Sequence, residues 1–364
     1  MTRRPGGEPA DRTVGGGHGP RRRPVRAIRL GRISRIVAPA DVLVAVVVVV
    51  LLLALVASAL MFGDRLVPLD RVVRAFAPGA DRLDAMVVVQ WRAPRAFAAA
   101  LFGACLGVSG AIFQSLTRNP LGSPDIIGLN TGAFTGVLVV ISLGGMGYAA
   151  VSAGAVIGGV GAAVLVYLFA YSSGLQGFRL IIVGIAVSAF LGAVNSWIVT
   201  RSELDVALRA AVWGAGSLNG VRWPQLLGAG VLALVLAALI PWLARRIAQL
   251  ELGDDSARVR GVRTEPVKAV AVVVGVALTA LVTAVTGPIA FVSLAAPQIA
   301  RRLRRWSSGF DPLGSALIGA VLLSGSDLIA QHALPAASVP VGAVTVCLGG
   351  IYLVYLLMRE SDRS

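Results

Sequence analysis

From Val42 to Gly63 the chain carries no charged side chain. A helix crossing the hydrocarbon of a bilayer needs about 20 apolar residues, and runs of that kind recur along the sequence. They predict helices over 41–62, 93–116, 127–145, 149–171, 180–200, 223–244, 267–286, 289–303, 313–333 and 341–358. Gly144-Gly145 and Gly287-Pro288 divide runs that would otherwise fuse. The expected fold class is therefore an all-α polytopic membrane protein with about ten transmembrane helices. Composition agrees, with 56% apolar and 14% charged residues against about 25% charged in soluble domains. An ordinary cytosolic enzyme, a disulfide scaffold and a disordered regulator are excluded, because so little polar surface cannot cover a soluble fold.

Charge orients the helices. Cytoplasmic loops are enriched in Lys and Arg. With the N-terminus inside and ten crossings, 24 of the 33 basic residues fall on the inner side. An odd number of helices would move Arg301, Arg302, Arg304 and Arg305 to the opposite side from the basic tail. Both termini are expected in the cytoplasm. Residues 1–40, rich in Gly, Pro and Arg, read as a disordered basic cytoplasmic tail, 41–358 as the transmembrane domain, and 359–364 as a cytoplasmic C-terminal tail. The net charge of +15 is assigned to topology rather than to nucleic acid, because the bases lie between apolar runs. Cys105 and Cys347 sit inside apolar runs and read as small packing residues. With His18 and His332 the only histidines, no cluster has metal-ligand spacing, so no metal site is expected. Gly103-x3-Gly107 and Gly154-x3-Gly158 have the spacing that lets helix backbones approach closely in lipid.

No nucleophile–base pair and no GxxxxGK[ST] phosphate loop occurs, so the chain is not expected to be an enzyme or to hydrolyse a nucleotide. If transport is driven, the energy comes from a partner or an ion gradient. Asp327, in Ser324-Gly325-Ser326-Asp327, is the main carboxylate within an apolar run. It either pairs between helices or faces a water-filled path. The loop at 249–263 is too polar to span. Asp254, Asp255 and Ser256 resemble the opening of a short helix and Gly261 its end. It reads either as a solvated connector or as a docking helix for a cytoplasmic partner.

The Gly-Asp-Asp-x-Ala core of this loop, Gly253 to Ala257, resembles the coupling loop of the FecCD family, the membrane subunits of type II ABC importers for iron siderophores, haem and vitamin B12. Further motifs follow in order: Arg92-Ala93-Pro94-Arg95; Gly110-x3-Gln114; Arg118-Asn119-Pro120-Leu121-Gly122-x-Pro124; Gly287-Pro288-Ile289 through Pro297-Gln298-Ile299-Ala300-Arg301; Pro340-Val341-Gly342 and Leu348-Gly349-Gly350. Trp213 to Gly220 and Leu348 to Leu353 are most like the ferric enterobactin branch. The sequence departs from the family at Gln298, where a His is usual. It also departs at Gln331 and at Gln176-Gly177-Phe178, where the vitamin B12 permease has a docking Arg and a hydroxyl gate.

The resemblance implies a fold like the vitamin B12 importer permease. It also implies passage of a ferric siderophore, of catecholate type, across a bacterial plasma membrane. Haem or a corrinoid is the alternative cargo, and an ion-coupled secondary transporter the alternative class. It implies ATPase coupling through Glu251, Leu252, Gly253, Asp254, Asp255, Ala257, Arg258 and Gly261, and docking of an extracytoplasmic siderophore-binding protein on Arg92 and Arg95, whose guanidinium forks suit carboxylates. A cytoplasmic gate at Asn119, Pro120 and Leu121 follows, with Gln114 and Asp327 as possible pathway residues. The implied partners are a second homologous permease, as homo- or heterodimer, a cytoplasmic ATPase dimer that uses ATP and Mg, and membrane lipid. The chain itself is expected to bind no cofactor.

Overall fold

The computed structural model describes residues 26–30, 33–37, 39–63, 65–125, 127–145, 147–171, 177–304, 309–333 and 339–361. Most of the basic tail lies outside them. Within it, however, Arg26–Leu30 (β1) and Ile33–Val37 (β2) pair as an antiparallel hairpin, Arg26 opposite Val37 and Leu30 opposite Ile33. Four β-branched residues in these ten positions favour extended backbone, a signal too short to stand out among the arginines.

All ten expected helices are present. They are α1 (Pro39–Met61), α4 (Ala93–Thr117), α5 (Leu129–Ser142), α6 (Tyr148–Ala170), α7 (Gly177–Arg201), α9 (Trp223–Leu250), α11 (Thr264–Thr286), α12 (Val292–Leu303), α13 (Pro312–His332) and α14 (Val341–Ser361). Among the described residues, seven helices are long and apolar enough to cross a membrane. The shortest of the ten are α5, with 14 residues, and α12, with 12. At 1.5 Å per residue they span about 21 and 18 Å, short of a hydrocarbon core of about 30 Å.

Four further helices fill stretches expected to be connectors: α2 (Leu69–Ala75), α3 (Arg82–Asp84), α8 (Leu204–Gly214) and α10 (Asp254–Val259). Only α10 was anticipated. In α8 the apolar Leu204, Leu208 and Val212 recur at helical spacing and point away from the chain, but Glu203, Asp205 and Arg209 make its sequence read as a loop. The second long helix also begins earlier than expected. A π-helix over Ala85–Arg92 runs straight into α4, and the Ala93 N–H donates to the Val88 carbonyl, five residues back. Pro94 follows at the start of α4. A proline has no N–H and crowds the carbonyl four residues before it, and a wider π turn at that point relieves both.

The core is built around α4. Phe102, Leu106, Ile112 and Phe113 on it are fully buried, and α9, α11, α12 and α13 pack around it. Its contact with α13 is backbone on backbone: a Cβ on Gly103 would overlap the Gly319 carbonyl, and one on Gly107 the Ser315 carbonyl. The second small-residue pair, Gly154 and Gly158 on α6, meets Gly132 and Gly136 on α5 in the same way. Close approach of this kind replaces hydrophobic collapse as the source of cohesion in lipid. By contrast α1 exposes Leu43, Val46, Val47, Val50 and Leu53, and α7 exposes Ile182, Ile185, Phe190 and Trp197.

Candidate functional site

At one end of the bundle, α9 gives way to Glu251, Leu252 and Gly253, and then to α10. Gly253 takes φ +105° and Gly261 φ +80°, left-handed values that a Cβ would strain, so these two glycines frame the short helix. Ala257 is fully buried and fixes one face of α10 to the body. Glu251 accepts from the Ser115 hydroxyl (2.9 Å) and from the Phe310 N–H (3.1 Å). Asp254 sits between Arg118 (2.7 Å) and Lys268 (2.5 Å). Partial burial raises its carboxyl, but the hydrogen bond and charge of Lys268, with Arg118 and Arg258 beside it, more than offset this and hold it below the usual aspartate range. The opposite face of α10 is open: Leu252 and Val259 are exposed, and Asp255, paired with Arg258 at 3.1 Å, projects fully.

Arg118 joins this helix to the next feature. It ends α4 in a left-handed conformation (φ 50°), and its Nη2 donates both to Asp254 and to the Leu250 carbonyl at 3.0 Å. The three following residues form a tight turn in which the Asn119 side chain accepts from the Leu121 N–H at 2.8 Å, as Asn does in turns. Gln298 donates to the Pro120 carbonyl at 2.7 Å, which gives the residue that replaces the family His a definite task. Gly177, at the start of α7, packs on this turn: a Cβ there would lie 2.5 Å from the Thr117 Cα. Phe178 beside it is exposed. Gln176 lies outside the described residues.

The chain then folds back into the bundle, and Asp125 meets the starts of both short helices. Its carboxylate accepts from Ser293 (2.9 Å) in the first turn of α12 and from Asn130 (2.7 Å) in the first turn of α5. The free N–H groups and positive dipole end of a helix N-terminus favour an anion, and one aspartate serves two of them. Sequence reading missed Asp125; its position directly after Pro124 and just before a new apolar run was the available signal. Phe291, leading into α12, holds φ +69°, a strained value for a bulky residue. A Cβ on Gly349 of α14 would overlap the Phe291 ring, so Gly349 gives this residue its room.

The far end of the bundle holds the two arginines. Arg92 donates to the carbonyls of Leu60 and Met61 (both 3.0 Å) and of Arg65 (2.6 Å), closing the C-terminus of α1. Arg95 grips Asp327 with Nε (3.1 and 3.0 Å) and Nη2 (2.8 Å), and its Nη1 donates to Asn219. Gln331 donates to the same carboxylate at 2.7 Å. The structure thus joins Arg95 and Asp327, which the sequence placed in separate roles. Asp327 is buried and pairs between helices. Gln114 is buried too; it donates to the Leu294 carbonyl at 2.9 Å and accepts from Arg301, tying α4 to α12.

Neither Gln114 nor Asp327 lines the cavities on the α5–α7 face. One of these, about 400 Å³, is bounded by Asn119, Leu121, Asp125, Thr131 and Ser188. The other, about 510 Å³, is bounded by Asn130, Thr131, Phe134, Asn195 and Gly214. Thr131 borders both, so the two lie next to each other beside α7, the smaller one reaching the Asn119–Leu121 turn, and each mixes a few polar side chains with a largely apolar wall that includes Ile181, Ile185 and Phe134. Among the described residues no three His, Cys, Asp or Glu side chains gather as a metal site.

Comparison with known proteins places this geometry. The model of the FecCD transport family matches residues 50–359. The ferric enterobactin transport system permease protein FepG of Escherichia coli (strain K12) is 46% identical over 298 residues, 81% of this chain and 89% of that protein. The achromobactin transport system permease protein CbrC of Dickeya dadantii (strain 3937) is 33% identical, over 91% of this chain and 96% of its own length. Among solved structures, a metal-chelate type ABC transporter in an inward-facing conformation matches 87% of this chain and 99% of its own, with TM-score 0.77 and 25% identity.

Proposed function

Because the chain belongs to the FecCD transport family, we propose that it is the membrane-spanning permease of an ABC importer that passes a ferric siderophore of catecholate type into the cytoplasm. The α10 end is cytoplasmic, as are both termini, and a second, homologous permease closes the path against the α5–α7 face. ATP hydrolysis belongs to a separate ATPase pair, and an extracytoplasmic binding protein delivers the chelate to the far end. The identity to a ferric enterobactin permease favours a siderophore over haem or a corrinoid, and family membership removes the ion-coupled carrier. The chelator supplies the iron ligands, so the path needs no metal site of its own.

One observation carries the mechanism: Arg118 is the last link of α4, the partner of Asp254, and the neighbour of the Asn119-Pro120-Leu121 turn. Movement of α10 under the closing ATPase would pull on Arg118 through a charged hydrogen bond and shift the turn next to it. Leu121 offers the apolar plug and Pro120 stiffens its backbone. At the far end, Arg92 and Arg95 bond within the chain, so the acidic partner they are proposed to meet would share them with Asp327 and the α1 carbonyls.

The test is uptake of radiolabelled ferric enterobactin by cells that lack their own permeases and express this chain with its partner permease, ATPase and binding protein. Uptake that needs ATPase and both permeases, and prefers the catecholate over a hydroxamate chelate, is the expected result. A chain that supports haem but no siderophore uptake would overturn the substrate reading.

A further inference from the structure

A third cavity, of about 580 Å³, lies at the α10 end but on the side of α9. Three arginines, Arg245, Arg246 and Arg260, line it together with Trp242 and Gln249. The Arg246 guanidinium stacks over the Trp242 ring, 4.6 Å from its centre. No carboxylate is among the residues that line the cavity, and on neighbouring α10 Asp254 is engaged with Arg118 and Lys268 and Asp255 with Arg258. Three cations are therefore gathered around a space with no anion of the chain's own. Coupling through α10 uses none of them.

The helix above the cavity says what the anion carries. Positions 227, 231, 234, 238, 241, 242 and 245 of α9 recur at spacings of three and four and form one stripe. Along it Leu227, Val231 and Leu234 are exposed, and the stretch from 227 to 238 is about 16 Å long. An apolar stripe of acyl-chain length that ends in a tryptophan and a basic cluster has the order of a lipid: tail, interface, headgroup. Basic pockets beside transmembrane helices hold anionic headgroups for this reason.

We propose that this cavity binds the phosphate headgroup of an anionic phospholipid, with an acyl chain laid along the Leu227–Leu234 stripe. Arg260 directly follows α10, so the bound lipid tethers the coupling loop to the bilayer. The proposal needs only a membrane-embedded chain, and its failure leaves the transport reading intact.

The test is native mass spectrometry of the full chain released from nanodiscs of phosphatidylcholine alone or with one-fifth phosphatidylglycerol. Wild type is expected to retain phosphatidylglycerol at least tenfold over phosphatidylcholine, and R245Q/R246Q/R260Q to lose that preference. The corresponding triple Lys variant, which keeps the charge, should retain part of it. If the Gln triple does not assemble, R245Q and R260Q singly should each reduce retention about threefold. Two results would overturn the proposal: unchanged phosphatidylglycerol retention in the variants, or displacement of the lipid by millimolar inorganic phosphate, which would make this a site for the free ion.

Discussion

Asp254 and Asp327 are both aspartates paired with arginine, yet different consequences follow from their surroundings. Asp254 is partly exposed; its pair with exposed Arg118 contributes at most about 1 kcal/mol to stability, and buried Lys268, its other partner, keeps Glu265 at 3.5 Å when Asp254 is neutralised. Asp254→Asn should therefore leave the fold intact while cutting uptake severely, with ATP hydrolysis continuing; simultaneous transport and ATPase assays would reveal the uncoupling. Since folding depresses this carboxyl, its contribution is fully present above the ordinary aspartate value of 3.8 and is lost only as pH falls below that, through the folded value. Hydrogen exchange across 254–262, corrected for intrinsic rates, should stay slow at pH 5 and quicken only below about pH 3.8. Asp327 is buried, and Asp327→Asn strands Arg95, a loss of about 3 kcal/mol or more. The double change Arg95→Met with Asp327→Leu should recover much of it in thermal unfolding. The sequence made each of these residues conspicuous, a carboxylate in an apolar run and an arginine in a motif. It could not reveal that two residues 232 positions apart touch, because periodicity reports only neighbours along the chain.

Helices were legible wherever apolar length decides them, which is why all ten were expected in the right order. Their ends were not. A π-helix leading into Pro94, and the continuation of α9 past Arg245 and Arg246 to Leu250, depend on backbone hydrogen bonds that hydropathy does not record. The shortening of α5 and α12 against the expected 127–145 and 289–303 has another reason: the residues at their ends take irregular backbone, which is tolerated at depth only when buried in protein, and burial is a property of the assembled bundle. Packing gives the sharpest expectation at this scale. Gly107→Leu would drive a side chain into the Ser315 carbonyl and force α4 from α13. Overpacking of this order costs about 1–3 kcal/mol or more, so the variant should lose monodispersity in detergent. Gly228→Leu, at a position with open space, should not.

As a whole the molecule presents a sealed side and an open one. The α4-centred core has no room for a chelate, while the α5–α7 face carries two cavities and a row of exposed apolar side chains. Nothing in one chain's sequence says what covers that face; the family resemblance supplied the second permease. With a partner in place, cysteines at Asn119 and at the matching partner position should crosslink at rest and stop uptake, and a reducing agent should restore it. Efficient crosslinking with normal uptake would place the gate elsewhere. The Arg95–Asp327 clasp also bears on how the protein is made. It joins the second of the ten long helices to the ninth. At about 5–20 residues per second, a ribosome needs roughly 10–50 s to cover the 232 residues between them. Throughout that interval α4 is in the membrane with an arginine whose counter-ion has not yet been synthesised. The nascent chain must shelter Arg95 in the translocation machinery or at the membrane surface, and the far end of the bundle closes only when α13 arrives.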